Sequence, residues 1–180
     1  GGMSNWGSGP ALTNLTFSGN TATYGGGMYN NAQSNPQIMD SIFWGDSASV
    51  AGVEFYNINI DSSFPPSLAD SVVAGGCPSS TTCSNIITTN PLLGPLANNG
   101  GFTQTRALGA GSSALDTGND GTCTVTDQRG VARPQGVHCD IGAYEYAPKD
   151  ITAFSFTSPT AMGVITGTNI AVTVSFGTNV

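Results

Sequence analysis

Charge is scarce in this 180-residue chain. Lys, Arg, Asp and Glu make up 8% of it, against roughly 25% in an average soluble domain. Cations are scarcest: four Lys and Arg stand against eleven Asp and Glu, a formal net charge of -7, and all four lie at or beyond Arg106. Phosphate binding draws on Lys and Arg, so a nucleic-acid surface is excluded, as is a basic stripe toward an anionic membrane. Helix formers are few, and no stretch spaces apolar residues at i, i+3, i+4 and i+7, which predicts almost no helix. No apolar run approaches the ~20 residues that span a bilayer. Gly1 begins without a charged leader or a cleavage site, so any export signal is expected upstream of it. The one histidine, His138, is too little for a metal centre or a Ser-His-Asp triad and reads as a surface loop residue.

What is present points to strands and turns. Glycine numbers 25, and Asn, Ser and Thr crowd every segment. The four cysteines form two local pairs, Cys77 with Cys83 and Cys123 with Cys139, each closing a loop rich in Gly, Ser or Thr. Their spacings are not C-x2-C, so they read as two structural disulfides and imply an oxidising, extracellular compartment.

A degenerate repeat organises the first half. Leu15-Thr16-Phe17-Ser18-Gly19-Asn20 aligns with Ser41-Ile42-Phe43-Trp44-Gly45-Asp46, an offset of 26 from Phe17 to Phe43. Asp40 to Gly45 aligns with Asp70 to Gly75 at an offset of 30, and Met28-Tyr29-Asn30 with Phe55-Tyr56-Asn57 at 27. Such a period marks stacked rungs, each of short strands separated by Gly or Asn corners that accept a left-handed backbone. A β-sandwich shares the short strands and Gly-rich turns but leaves these phases unexplained. The expected fold is all-β: a right-handed parallel β-helix over residues 1–89, with a terminal rung and capping region over 90–147. A linker and the first strands of a truncated β-sandwich follow over 148–180, where Ile170, Val172, Val174 and Phe176 alternate with polar or small residues.

The segments Asn90-Pro91-Leu92-Leu93-Gly94-Pro95, Gly111-Ser112-Ser113-Ala114-Leu115-Asp116, Asp127-Gln128-Arg129-Gly130-Val131-Ala132-Arg133-Pro134 and Cys139-Asp140-Ile141-Gly142-Ala143-Tyr144-Glu145 succeed one another in order. Together they resemble the C-terminal block of bacterial choice-of-anchor proteins, surface proteins with pectate-lyase-like β-helices. Phe17-Ser18-Gly19-Asn20 followed by Tyr24-Gly25-Gly26-Gly27-Met28-Tyr29 resembles the repeats of polymorphic outer-membrane adhesins. Ile151-Thr152-Ala153-Phe154-Ser155-Phe156 and the strand after Gly167 resemble the opening of bacterial immunoglobulin-like repeats. These resemblances imply a secreted or cell-surface protein.

Candidate functional residues follow from the repeat. Asp40 and Asp70 hold equivalent positions and would stack on neighbouring rungs, where they could flank a sugar or bind calcium; corner Asp residues also hydrogen-bond their own turns. Trp44, Tyr29 and Tyr56 are aromatics able to stack on sugar rings, or to join an inward ladder. Asp127, Arg129, Arg133 and Asp140, bracketed by Cys123 and Cys139, read as structural ion pairs of the capping region rather than an active cluster. A lyase needs a base and cations that residues before Arg106 lack, so no catalytic residue, resident metal or cofactor is expected, calcium excepted. The expected role is a non-catalytic, monomeric scaffold that is adhesin-like or contacts an extracellular polysaccharide or cell-surface glycan. The alternatives are the end of a polysaccharide-degrading enzyme with its active rungs upstream, and a mechanical spacer.

Overall fold

A computed structural model describes residues 1–147; the strands expected over 148–180 lie outside the described residues. Within them the protein is all-β, with no helix. The strands are β1 (Met3–Trp6), β2 (Ala11–Thr13), β3 (Thr16–Phe17), β4 (Thr21–Tyr24), β5 (Met28–Asn31), β6 (Gln37–Met39), β7 (Ile42–Phe43), β8 (Ser47–Ala51), β9 (Phe55–Asn57), β10 (Ser67–Val73), β11 (Thr82–Ile87), β12 (Leu93–Ala97) and β13 (Thr105–Leu108).

Three of the four sheets are parallel. β1, β5 and β9 form one, β4 and β8 another, and β2-β6-β10-β7-β3 the largest, with β11 added on β10. Phe17 lies opposite Phe43 and Phe43 opposite Val73, while Met28 lies opposite Phe55. These ladder partners stand at the sequence offsets of the repeat. β10 spans positions that are two separate strands below it, β6 and β7, and bends between them at Asp70, whose φ is 46°. The large sheet is therefore curled. Asn14, Asp40 and Asn85 occupy the matching corners with φ of 53°, 48° and 49°. Asn and Asp tolerate this left-handed conformation better than other side-chain-bearing residues, which is why the corner position repeats as Asn or Asp.

Side chains stack along the ladders. Phe17 and Phe43 lie face to face with ring centres 4.5 Å apart, and Phe55 packs on Phe43 at 4.2 Å. With Met28, Ile38, Leu68 and Val73 they fill the interior. Beside them runs an asparagine ladder: Asn5 Nδ2 donates to Asn30 Oδ1 at 2.7 Å, and Asn30 Nδ2 to Asn57 Oδ1 at 2.8 Å. Each amide thus answers the next one's donor or acceptor, which is what lets Asn30 be wholly buried. Ile42 and Val72 point the other way, into a second core with Leu108, Ala114 and Ile141. The curled sheet is apolar on both faces at this point, so Ile42-Phe43 and Val72-Val73 read as continuous apolar pairs instead of alternating ones.

The antiparallel hairpin β12-β13 and a strand-poor segment follow. Contacts of that segment run along the flank of the curled sheet. Asn14 Nδ2 donates to Asp140 O, Thr124 N to Asn14 Oδ1, Gly142 N to Asp40 O and Ala143 N to Thr16 Oγ1. No helix of the described residues is long and apolar enough to cross a membrane.

Candidate functional site

Strand alternation decides which aromatics are available. In β9 Phe55 and Asn57 turn inward to the phenylalanine and asparagine ladders, so Tyr56 between them faces out. Tyr29, its ladder partner on β5, lies beneath it with ring centres 5.9 Å apart and planes within 16°. Tyr24, from the end of β4, packs on Tyr56 at 5.0 Å and is 42% exposed. Trp44 is not part of this group; it is half-buried against the Ile42 and Val72 core.

Among the described residues β9 is an edge strand, hydrogen-bonded to β5 on one side only. After β10 the chain does not lay another strand on it. Gly75 and Gly76, with φ of 81° and 83°, turn the chain into a loop closed by the Cys77–Cys83 disulfide. Asn57 pins this loop, its Nδ2 donating to Ser79 O at 2.7 Å and to Thr81 Oγ1 at 2.9 Å. Between edge and loop opens a groove of about 650 Å³, lined by Val53, Glu54, Tyr56 and Asn57 on one side and Gly76 to Ser79 on the other. Among the described residues no Lys or Arg lines it.

Below the groove lies a pair of acids that reasoning from sequence did not single out. Asp46 and Glu54 are 5% and 6% exposed. Asp46 Oδ1 accepts from Asn20 N at 2.7 Å and Asn20 Nδ2 at 2.8 Å, and Glu54 Oε1 accepts from Gly45 N at 3.0 Å. Asp46 Oδ2 and Glu54 Oε2 have no donor. Burial, and then Asp46 itself, push the Glu54 carboxyl up to about 8 from its ordinary 4.5. Like charges out of water cannot both ionise, so Glu54 keeps its proton at neutral pH. Gly27 makes the room: a Cβ there would lie 2.7 Å from Asp46 Oδ2 and 2.7 Å from Glu54 O. The legible signal was an acid at the end of a Gly-Asp step facing a run of three glycines.

The structure brings Asp40 and Asp70 onto adjacent corners, the first buried and the second partly exposed. Asp40 is fully buried, accepting from Asn119 N at 2.8 Å and Thr122 Oγ1 at 2.7 Å. Burial raises its pKa. Asp70 accepts from Asn85 Nδ2 at 2.8 Å and Asn119 Nδ2 at 3.0 Å. Asn119 therefore straddles both acids and ties the later segment to the corner ladder.

Among the charged residues of that segment, Arg129 pairs with Asp127 at 2.7 Å and lies over the Tyr144 ring at 3.6 Å. Burial alone would raise Asp127, but the amides of Glu145, Val131 and Arg129 with the Arg129 guanidinium hold it below the usual carboxylate range. Arg133, its side chain wholly buried, pairs with Glu145 at 2.7 Å, not with the carboxylate of Asp140. It also donates to Asp140 O and Gly142 O at 2.7 and 2.6 Å. Asp140 instead accepts from Asp116 N and Tyr146 N, and burial pushes it up to about 6. Glu145 is the hub: it also accepts from Gln135 N and Asp140 N. Cys123 and Cys139 form the second disulfide, and His138 beside it pairs with Asp120 at 2.8 Å on the surface.

No protein-family model, curated protein or solved structure matches the chain. That finding overturns the resemblance to choice-of-anchor proteins, and with it the likeness to polymorphic adhesins and immunoglobulin-like repeats. The motifs behind it have local explanations. Asn90 caps its own turn by accepting from Leu92 N, Gly142 sits where Ile42 and Thr16 leave no room for a Cβ, and the Asp127 to Pro134 segment carries the Arg129 and Arg133 pairs. Tight turns and buried ion pairs need such residues in any chain built this way.

Proposed function

We propose that this protein is a non-catalytic, extracellular scaffold, adhesin-like in role, that contacts carbohydrate through the outward tyrosines beside the β9 edge. The observation that carries the reading is Tyr56, packed against Tyr24 and Tyr29, on a groove of about 650 Å³, within the volume range of small-ligand sites. Aromatic faces take the C–H faces of sugar rings, and the polar ring edge keeps them wettable when empty. The two disulfides support an oxidising compartment and hence a secreted or cell-surface location. In the finer architecture we propose, the parallel ladders wind as a right-handed β-helix, because parallel crossovers within one sheet take that hand in nearly every known case.

A polysaccharide and glycan-array binding screen, run with and without calcium and followed by a reducing-sugar assay on each polymer bound, tests the function. Binding without cleavage is expected. Cleavage would replace the scaffold with a hydrolase or lyase, and silence in both assays would leave a mechanical spacer.

A further inference from the structure

We propose that the groove between the β9 edge and the Cys77–Cys83 loop is a binding site for an uncharged saccharide, gripped by the Tyr56 ring and the main chain of that edge. This rests on the carbohydrate reading above and gives it a place and a specificity.

Three features select the ligand. Among the described residues the outer edge of β9 has no partner strand, so its outward main-chain N–H and C=O groups remain to meet hydroxyls that both donate and accept. The Tyr56 ring, backed by Tyr24 and Tyr29, supplies a face rather than a deep apolar pit. Charge then decides between sugars. No Lys or Arg lines the groove, and Glu54 turns its carboxyl to Gly45 N and away toward Asp46. A uronate or sialate would bring a carboxylate beside the buried negative charge of the acid pair, with no cation to neutralise it. A neutral ring incurs no such cost.

The same geometry disfavours an extended peptide. Adding a strand to an edge requires a clear run along it, and here Ser79 and Thr81 are bound to Asn57 at one end of a strand only three residues long. The disulfide holds that barrier in place. Asp40 and Asp70 lie on the corner ladder, bonded to the segment around Asn119 and outside the lining of this groove.

The test measures binding of neutral glucan, mannan and galactan oligosaccharides against oligogalacturonate and sialyl-oligosaccharides, with an extended polar peptide as a further probe. At least one neutral oligosaccharide should bind and the acidic ones should not. Tyr56→Ala should weaken that binding about three- to tenfold, the worth of one aromatic contact. Trp6→Ala, an exposed aromatic on the far edge strand of the same sheet, should leave it unchanged. Val53→Arg alters an exposed lining residue without touching the core, so it reads the site even where Tyr56→Ala lowers the melting midpoint. It should weaken neutral binding and admit oligogalacturonate, and Cys77→Ser with Cys83→Ser should weaken binding by loosening the wall.

Neutral binding indifferent to Tyr56→Ala and Val53→Arg would overturn this site while sparing the carbohydrate reading, as would a preference for acidic glycans. Binding of the peptide alone would overturn both, and so would no binding at all.

Discussion

Replacing Glu54 by Gln should change how stability depends on pH more than it changes stability at any one pH. In the folded state Glu54 holds its proton to about pH 8, whereas in the unfolded chain it releases it near its ordinary 4.5. The folded state therefore binds more protons between those values. The contribution is fully present below 4.5 and is lost as pH rises through 8, at a limiting slope of about 1.4 kcal/mol per pH unit. Summed over the window it is on the order of 3 to 5 kcal/mol, an upper bound. Asp140, pushed up to about 6, gives the same sign but is spent earlier, so the span from about pH 6 to about 8 belongs to the Asp46–Glu54 pair. Glutamine at position 54 can donate its amide to Asp46 Oδ2 at every pH, which removes the titration and satisfies the orphaned oxygen. The assay is urea unfolding followed by tryptophan fluorescence, wild type against Glu54→Gln, at fixed ionic strength across that span. Their stability difference should swing toward the variant by about 2 kcal/mol as pH rises. A difference that stays flat would mean that the pair holds no proton, and the account of the two unpartnered oxygens would fail.

Phe43→Ala removes the ring stacked between Phe17 and Phe55 in the buried ladder and should cost roughly 3 to 5 kcal/mol in urea unfolding; an effect below about 1 kcal/mol would refute its placement in the core. Arg133→Ala leaves Glu145 buried without its cation and should cost roughly 3 to 5 kcal/mol, with a near-neutral result showing that the pair is solvated. Reducing both disulfides should lower stability by roughly 2 to 5 kcal/mol per bridge, read as a fall in the melting midpoint, and an unchanged midpoint would contradict the pairing of Cys77 with Cys83 and Cys123 with Cys139.

Much of the strand plan was legible because parallel pairing imposes a chemical requirement at the same position of each strand. Only Asn, Asp or Gly takes the left-handed corner easily, so Asn14, Asp40, Asp70 and Asn85 mark that corner in the chain as they do in space. An inward position repeats as Phe17 and Phe43, and the alignment of Met28 with Phe55 placed Tyr29 under Tyr56. Resemblance misled where turn-forming and ion-paired residues mimic a family block, since a tight turn demands the same residues in unrelated chains.

Composition and spacing by themselves determined that the described residues are all-β without helix and carry two local disulfides, because each follows from residue type or short-range period. Tertiary structure alone decided which acids are open and which are spent. Asp40 meets Asn119, Asp46 meets Glu54 and Arg133 meets Glu145 through folding that no short window of sequence can register. It also decided that the curled sheet is buried on both faces and that the β9 edge is left bare. Those outcomes depend on where a later segment comes to rest, and a corner Asp carries the same local signature whether solvent or a distant amide answers it.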